Sequence, residues 1–558
     1  MLQLRFLHAV ALFLFLIVMG PPAAAQDGAG RVFPNGAQRG TTVTLTFPAM
    51  AEVESATLVV EGEGVKPLGP FIKGVGKVEV APEAVVGMRQ VRLVGPKTAT
   101  TPRPFLVGTL PVVLDQEVAD KKAANDRLEQ AQRIDQLPVT VNGSLAKSGD
   151  IDVYRLTLKK GDCLVVGNES RLVAAPTNLG VYLRDLSGQA VPVTLDYRKR
   201  DPLYWCTVPA DGEYQLQLFE ITNNMGDVGE QTLYRVTVTT GPWLGYVTPS
   251  GAPRGTTAHV TASGWNLGGK AGPGTMLAEI PVPAGAAGPI PVSVTGAPNW
   301  IQFGVGTRDE LADIEPNNRA EQAQPLPLPA TVNGTFGEPR DTDCFRVTLK
   351  AKDVLVADVE ARDLDSYADV ALRVRDASGK ELVSEDDVQN SRDPRVVWTA
   401  PANGDYTLEL RDLAGNSRGG SSLFYRLHVA VAQPELRVIA REVTIPVKPG
   451  AKAEIPLTVY QTCLSGDITL QVEGLPAGVI AEPVTVKSTP NRSSQSQTKL
   501  TLTATADAKP GYALVRVIAT AAGATPLTAN ATWALTGDGG WPYGTGTIDR
   551  LVVLLPVP

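Results

Sequence analysis

The sequence predicts an all-β protein, a string of antiparallel β-sandwich domains with little helix. Three observations carry that prediction. Apolar and polar residues alternate over short runs (Val43, Leu45, Phe47; Tyr154, Leu156, Leu158; Tyr406, Leu408, Leu410; Leu500, Leu502), the period-two pattern of half-buried strands. Between the runs sit clusters such as PADGEY at 209–214 and PANGDY at 401–406, whose Pro, Asp, Asn and Gly turn the chain between antiparallel neighbours. Finally, 54 Gly and 44 Pro in 558 residues exceed the usual soluble share without reaching that of a low-complexity chain.

Taken in order, residues 1–25 read as a secretory signal: Arg5, the apolar run Phe6 to Met19, then Ala23-Ala24-Ala25 before Gln26. The predicted mature chain starts at Gln26. No later stretch reaches the ~20 apolar residues needed to span a bilayer, and the terminal LVVLLPVP is too short. The remainder divides at 32–110, 115–241, 243–308, 309–432 and 434–538, with a tail at 539–558. Only one short helix is predicted, around Ala124 to Gln132.

The chain repeats as a pair of modules. PNGAQRGTTV at 34–43 answers to PSGAPRGTTA at 249–258. In the longer modules that follow, EQAQ at 129–132 matches EQAQ at 321–324, VNGSLAKSGDIDVYRL from Val141 matches VNGTFGEPRDTDCFRV from Val332, Asp185-Leu-Ser-Gly matches Asp376-Ala-Ser-Gly, and LYRV at 233–236 matches FYRL at 424–427. The order is A-B-A-B, then a fifth, different unit. A catalytic site rarely needs two copies of itself in one chain; a duplicated module does.

With EPNN at 315–318, Val-Asn-Gly, Asp-x-Asp-x-aromatic-Arg and a closing Gly-x-Tyr strand, the B units resemble bacterial pre-peptidase C-terminal domains. That resemblance implies jelly-roll-like sandwiches of the kind carried by secreted proteases and many other exported proteins. The A units, through Pro-x-Gly-x-x-Arg-Gly-Thr-Thr, resemble small immunoglobulin-like domains of the IPT/TIG kind. The last unit, with GLPAGV at 474–479 and ADAKPG at 506–511, is similar to immunoglobulin-like domains appended to secreted glycosidases. The tandem arrangement resembles exported multidomain proteins of planctomycete-type bacteria.

Asp341 and Asp343 lie two apart at a predicted strand start, so both side chains leave on one face. Glu315, Asn317 and Asn318 precede the second B sandwich, and a tether of that length folds back to meet them. Calcium takes six to eight oxygens of these types, and collagenase-type members of the resembled family bind calcium with the corresponding segments. Two readings therefore stand: a calcium site on Glu315, Asn317, Asn318, Asp341 and Asp343, or side chains that shape turns through backbone hydrogen bonds. The first copy is expected to be poorer. Asp150 and Asp152 remain, but Ala123 stands where Glu315 stands, beside Lys121 and Lys122, which would repel a cation.

Other chemistry has little material. After signal removal only His259 and His428 remain, both in strand-like runs, and there is no Gly-x-Ser-x-Gly elbow, His-Glu-x-x-His helix or phosphate loop. No catalytic residues are assigned. A net charge of −7 without a Lys/Arg cluster argues against nucleic acid. Trp205, Trp398 and Trp533 are expected in cores, and Trp243, Trp300 and Trp541 near domain boundaries, where junction packing or a ligand platform would explain them. Of four cysteines, Cys163 and Cys206 are absent together from the second copy, which suggests one disulfide between them; Cys344 and Cys463 are expected to be free. The expected protein is secreted, periplasmic or at the cell surface, non-catalytic, and binds or spaces an extracellular polysaccharide or protein. A secreted, peptidase-associated hydrolase is the alternative.

Overall fold

The computed structural model describes residues 31–557 apart from 120–123, 146, 148, 176, 199–200, 222–231, 287, 389–390, 491, 524–525 and 537–541. The predicted signal segment, Lys121, Lys122, Ala123 and Trp541 lie outside the described residues. The protein is built of β-strands, with the α-helix Gln116–Ala119 and a few 3-10 turns. The helix expected at 124–132 is a single 3-10 turn, Leu128–Gln130. Its sequence is too polar to offer a packing face, and packing is where short helices find their stability.

Four pairs of facing sheets follow one another along the chain, then a fifth unit whose strands form one connected 11-stranded sheet, and each unit encloses its own apolar core. The two long repeats match pairing for pairing. In the first, Val112–Leu114 runs parallel to Val139–Leu145 in one sheet, and Gln132–Arg133 runs parallel to Ile151–Leu158 in the other. In the second, Leu311–Ala312 and Gln324–Pro325 do the same beside Ala330–Thr335 and Thr342–Leu349. Each lead-in segment thus crosses from one sheet edge to the other over the open end of its sandwich. The last Gln of EQAQ pins that crossing: Gln132 accepts from Gln116 N–H and donates to the Leu114 carbonyl, and Gln324 does the same with Ile314 and Ala312.

The shorter modules are joined to the longer ones by buried arginines. Arg426 is fully buried and donates to Glu310 and Glu360. A Cβ on Gly251 would lie 2.3 Å from its Nε, and one on Gly304 2.2 Å from its Nη1, so only glycine admits the guanidinium there. Arg235, on the matching strand of the first repeat, pairs with Glu169 at 3.0 Å and lies 2.7 Å from a Cβ on Gly36. The repeated Pro-x-Gly and Tyr-Arg motifs are therefore two sides of one junction.

Two expectations are corrected. Within the span expected to be a tail, 539–558, Leu551–Leu555 is a core strand: it pairs with Gly511–Ala521 and Thr444–Pro446, and Leu551, Val553 and Leu555 lie in the fifth core. The opposite face, Val552 and Leu554, packs on Val59 and Val94 of the first domain. The run is apolar throughout because both faces are covered. The Cys163–Cys206 disulfide is absent, and all four cysteines are free. The register sets Cys163 opposite Thr207 and Leu164 opposite Cys206, so the two thiols leave opposite faces of the sheet. Cys206 enters the sandwich core, whereas Cys163 meets Trp243 and Trp265 at the boundary with the next domain. Trp243 and Trp300 do pack at junctions, Trp533 is buried, and Trp398 is half-buried at the margin of its core, whereas Trp205, expected in a core, is half-buried against the Cys163, Trp243 and Trp265 junction cluster.

Candidate metal centres

In the second long domain the lead-in segment passes the start of Thr342–Leu349 and brings acids together. One carboxylate oxygen each from Asp313, Glu315 and Asp343 lie within 4.8 Å of one another. Asn317 holds the segment in shape: its backbone N–H donates to Glu315 at 2.9 Å, its side chain donates to Asp313 at 2.6 Å, and its carbonyl accepts from Cys344 N–H at 3.1 Å. Beneath, Tyr425 donates its hydroxyl to Asp343. Asn317 and Asp343 are both fully buried. Their remaining oxygens, Asn317 Oδ1 and Asp343 Oδ1, have no hydrogen-bond partner among the described residues.

The five residues expected at this site divide. Glu315, Asn317 and Asp343 sit in the cluster. Asp341 spends both oxygens on backbone N–H groups, those of Gly337 at 2.6 Å and Thr342 at 3.0 Å. Asn318 accepts from Thr342 N–H at 3.2 Å. Those two perform the turn-shaping role, although Asp341 still raises the proton affinity of its neighbours. Asp313 was missed by sequence reasoning. Its signal was present: it follows the last apolar residue of a strand and lies four before Asn317.

Burial and crowding dominate the electrostatics. Desolvation, then the nearby Asp313 carboxylate, push Asp343 up to about 9, against the favourable Tyr425 hydrogen bond. Burial and Glu315 push Asp313 up to about 6. Burial and mutual repulsion thus disfavour ionisation of these acids, and the oxygens they present are of the type a hard cation takes.

The first long domain holds the same constellation, and the expectation built on Ala123 is corrected. Asn125 donates to Asp115 at 3.0 Å and to Glu117 at 3.1 Å, as Asn317 does to Asp313 and Glu315. Tyr234 donates to Asp152 as Tyr425 does to Asp343. Glu117, not Ala123, is thus the counterpart of Glu315. Ten residues separate Asp115 from Asn125 where four separate Asp313 from Asn317, and that insertion defeats a gapless alignment. One difference is chemical: Lys147 Nζ lies 2.8 Å from Asp126 and 3.5 Å from Asp150.

The histidines stand elsewhere. His259 is exposed beside Glu279. His428 lies 3.0 Å from the Thr331 hydroxyl and 3.1 Å from Glu360. Thr331 is 5% exposed, and Glu360 is shared with Arg426.

No protein-family model matches the chain. A probable subtilase-type serine protease of Deinococcus radiodurans is 35% identical over 145 residues, covering 24% of this chain and 18% of that protein. Among solved structures, trypsin-activated α2-macroglobulin of Escherichia coli is matched over 91% of this chain and 50% of that one, at 9% identity and a TM-score of 0.14. The tetra-tandem repeat of a large adhesion protein's extending region is matched over 90% and 98%, at 12% identity and a TM-score of 0.12.

Proposed function

We propose that the chain is an exported, non-catalytic binding protein whose two long modules are pre-peptidase C-terminal domains, the second of them ordered by calcium. The observation that carries the calcium reading is the pair of fully buried, unpartnered oxygens of Asn317 and Asp343 beside Asp313 and Glu315. Leaving such groups unsatisfied costs about 1–3 kcal/mol each, and a cation removes the cost while cancelling the carboxylate repulsion. Asp313, Glu315, Asn317 and Asp343 would hold the ion, tying the lead-in segment to the sandwich. The partner is an extracellular polysaccharide or protein. Binding is favoured over end-to-end spacing because the strand Leu551–Leu555 packs back on the first domain, which keeps the first and fifth domains together. No helix among the described residues is long and apolar enough to cross a membrane.

A secreted hydrolase is the second reading. It draws on the short similarity to a subtilase-type protease and on the Thr331–His428–Glu360 chain of hydrogen bonds. The first repeat carries Thr237 in place of His428, and Thr331 is buried, which argues for a structural pair. The test is calcium titration of the purified mature chain with thermal melts, alongside glycan and matrix-protein arrays. A saturable melting shift and a retained ligand support the proposal. Turnover of a peptide or glycoside substrate that Thr331→Val abolishes would replace it with the hydrolase.

A further inference from the structure

The two acid clusters are built alike but closed differently. In both, the second residue of Asp-x-Asp is buried under a tyrosine hydroxyl, and an asparagine braces the two lead-in acids. In the first, Asp115, Asn125 and Asp152 are all fully buried, and Asp115 Oδ2, Asn125 Oδ1 and Asp152 Oδ1 have no partner among the described residues. One oxygen each from Glu117, Asp126 and Asp150 lie within 4.8 Å of one another at the mouth of that cluster. Lys147 covers this mouth, reaching Asp126 at 2.8 and 3.1 Å and Asp150 at 3.5 Å.

Among the described residues no lysine pairs with Asp313, Glu315, Asp341 or Asp343 of the second cluster, as Lys147 pairs with Asp126 and Asp150 in the first. Asp150 N–H donates to the Lys147 carbonyl and Asp341 N–H to the Glu338 carbonyl, so the backbone sets Lys147 and Glu338 at the same place. The duplicated position thus carries a positive charge in one copy and a negative one in the other.

We propose that the first long domain contains a second site for a hard divalent cation of the calcium class, closed in this chain by its own Lys147 ammonium. The ammonium supplies one of the two charges the ion would bring, at no cost in association entropy, because it is covalently attached. It also repels an incoming cation at short range. The six oxygen-bearing side chains beneath it, from Asp115, Glu117, Asn125, Asp126, Asp150 and Asp152, are of the type and number that calcium takes. The inference rests on the reading that this constellation binds calcium, and its test separates the two.

Calcium bound per full mature chain is counted by equilibrium dialysis for the wild type, Asp343→Asn, Lys147→Met and the double variant. The expected counts are one, none, two and one. A count that does not rise on removal of the lysine, or a wild type that already binds two, overturns the proposal. If Asp343→Asn leaves the wild-type count unchanged, the reading of the second domain fails, while the gain on Lys147→Met still decides this one. Lys147→Glu, which copies Glu338, is the second variant. Should either variant melt early in chelator, recovery of the wild-type melting temperature with calcium supports the proposal, and equal melting with and without calcium shows that Lys147 is only a structural brace.

Discussion

At Gly143 and Gly334 an added Cβ would sit 2.1 and 2.2 Å from a ring carbon of Tyr234 and Tyr425, and those tyrosines carry the hydroxyls that reach Asp152 and Asp343. Val-Asn-Gly, Asp-x-Asp and Tyr-Arg are repeated together because they pack as one unit. That unit makes Asp343 sensitive to pH. An unfolded aspartate titrates near ~3.9, and the folded group is pushed up to about 9. Between those values the folded state holds a proton that the unfolded state has lost. Calcium-free stability therefore falls as pH rises through that window, by at most about 1.4 kcal/mol per pH unit for one group. Asp343→Asn imitates the protonated acid, so its melting temperature in chelator should gain on the wild type steadily from pH 4 to pH 8, and calcium should no longer shift it. A difference independent of pH would show that Asp343 is ionised in the folded chain. The cysteines give a simpler test. Burial raises the Cys163, Cys206 and Cys344 thiols, the last two to about 12. Thiol titration without reductant should find four reactive groups in the unfolded chain, and in the native chain Cys463 should react first. Two groups in the unfolded chain would restore the disulfide.

Between elements, buried arginines join the paired modules, and the two copies are unequal. Glu310 accepts from Arg426 and from Asn333. In the first repeat the strand register places Val112 where Glu310 stands. Arg235 Nη1 and both side-chain atoms of Asn142 are left buried without partners among the described residues. Arg426→Ala should cost about 3–5 kcal/mol, because it leaves the buried Glu310 carboxylate without its cation, and the loss should appear as a lower melting temperature of the second pair of domains. Val112→Glu should do the reverse for the first pair, adding charged hydrogen bonds worth about 1.5–3 kcal/mol; a fall in stability would mean that the carboxylate does not reach Arg235. None of this partnership was legible along the sequence. The strands were, because alternation such as Tyr406, Leu408, Leu410 is a local property. The lead-in of the first repeat was misread because EQAQ gave a gapless register, and an insertion between Asp115 and Asn125 is invisible until backbone pairing shows which acid stands where.

Over the whole molecule, the strand Leu551–Leu555 joins the fifth domain to the first. Val552 and Leu554 meet Val59 and Val94, Arg92 donates to the Arg550 carbonyl at 2.9 Å, and Val557 N–H donates to the Pro96 carbonyl at 3.1 Å. Val552→Asp with Leu554→Asp leaves Leu551, Val553 and Leu555 in the fifth core. It should open the contact between first and fifth domains, increasing the radius of gyration in small-angle scattering while the far-ultraviolet spectrum stays the same. An unchanged radius would mean that other junctions hold the ends together. Legible along the chain were the all-β class, the two repeated pairs with a fifth unit, and Glu315 and Asp343 as candidates for one site, because alternation, turn residues and motif order all act over a few residues. The folded chain alone reveals that Asp313 and Glu117 belong to the clusters, that Cys163 and Cys206 face apart, that LVVLL is a core strand, and that arginines lock the domains in pairs. Each of those depends on which residues distant in the chain share a sheet face, and register, burial and close approach through glycine exist only once the sheets have formed.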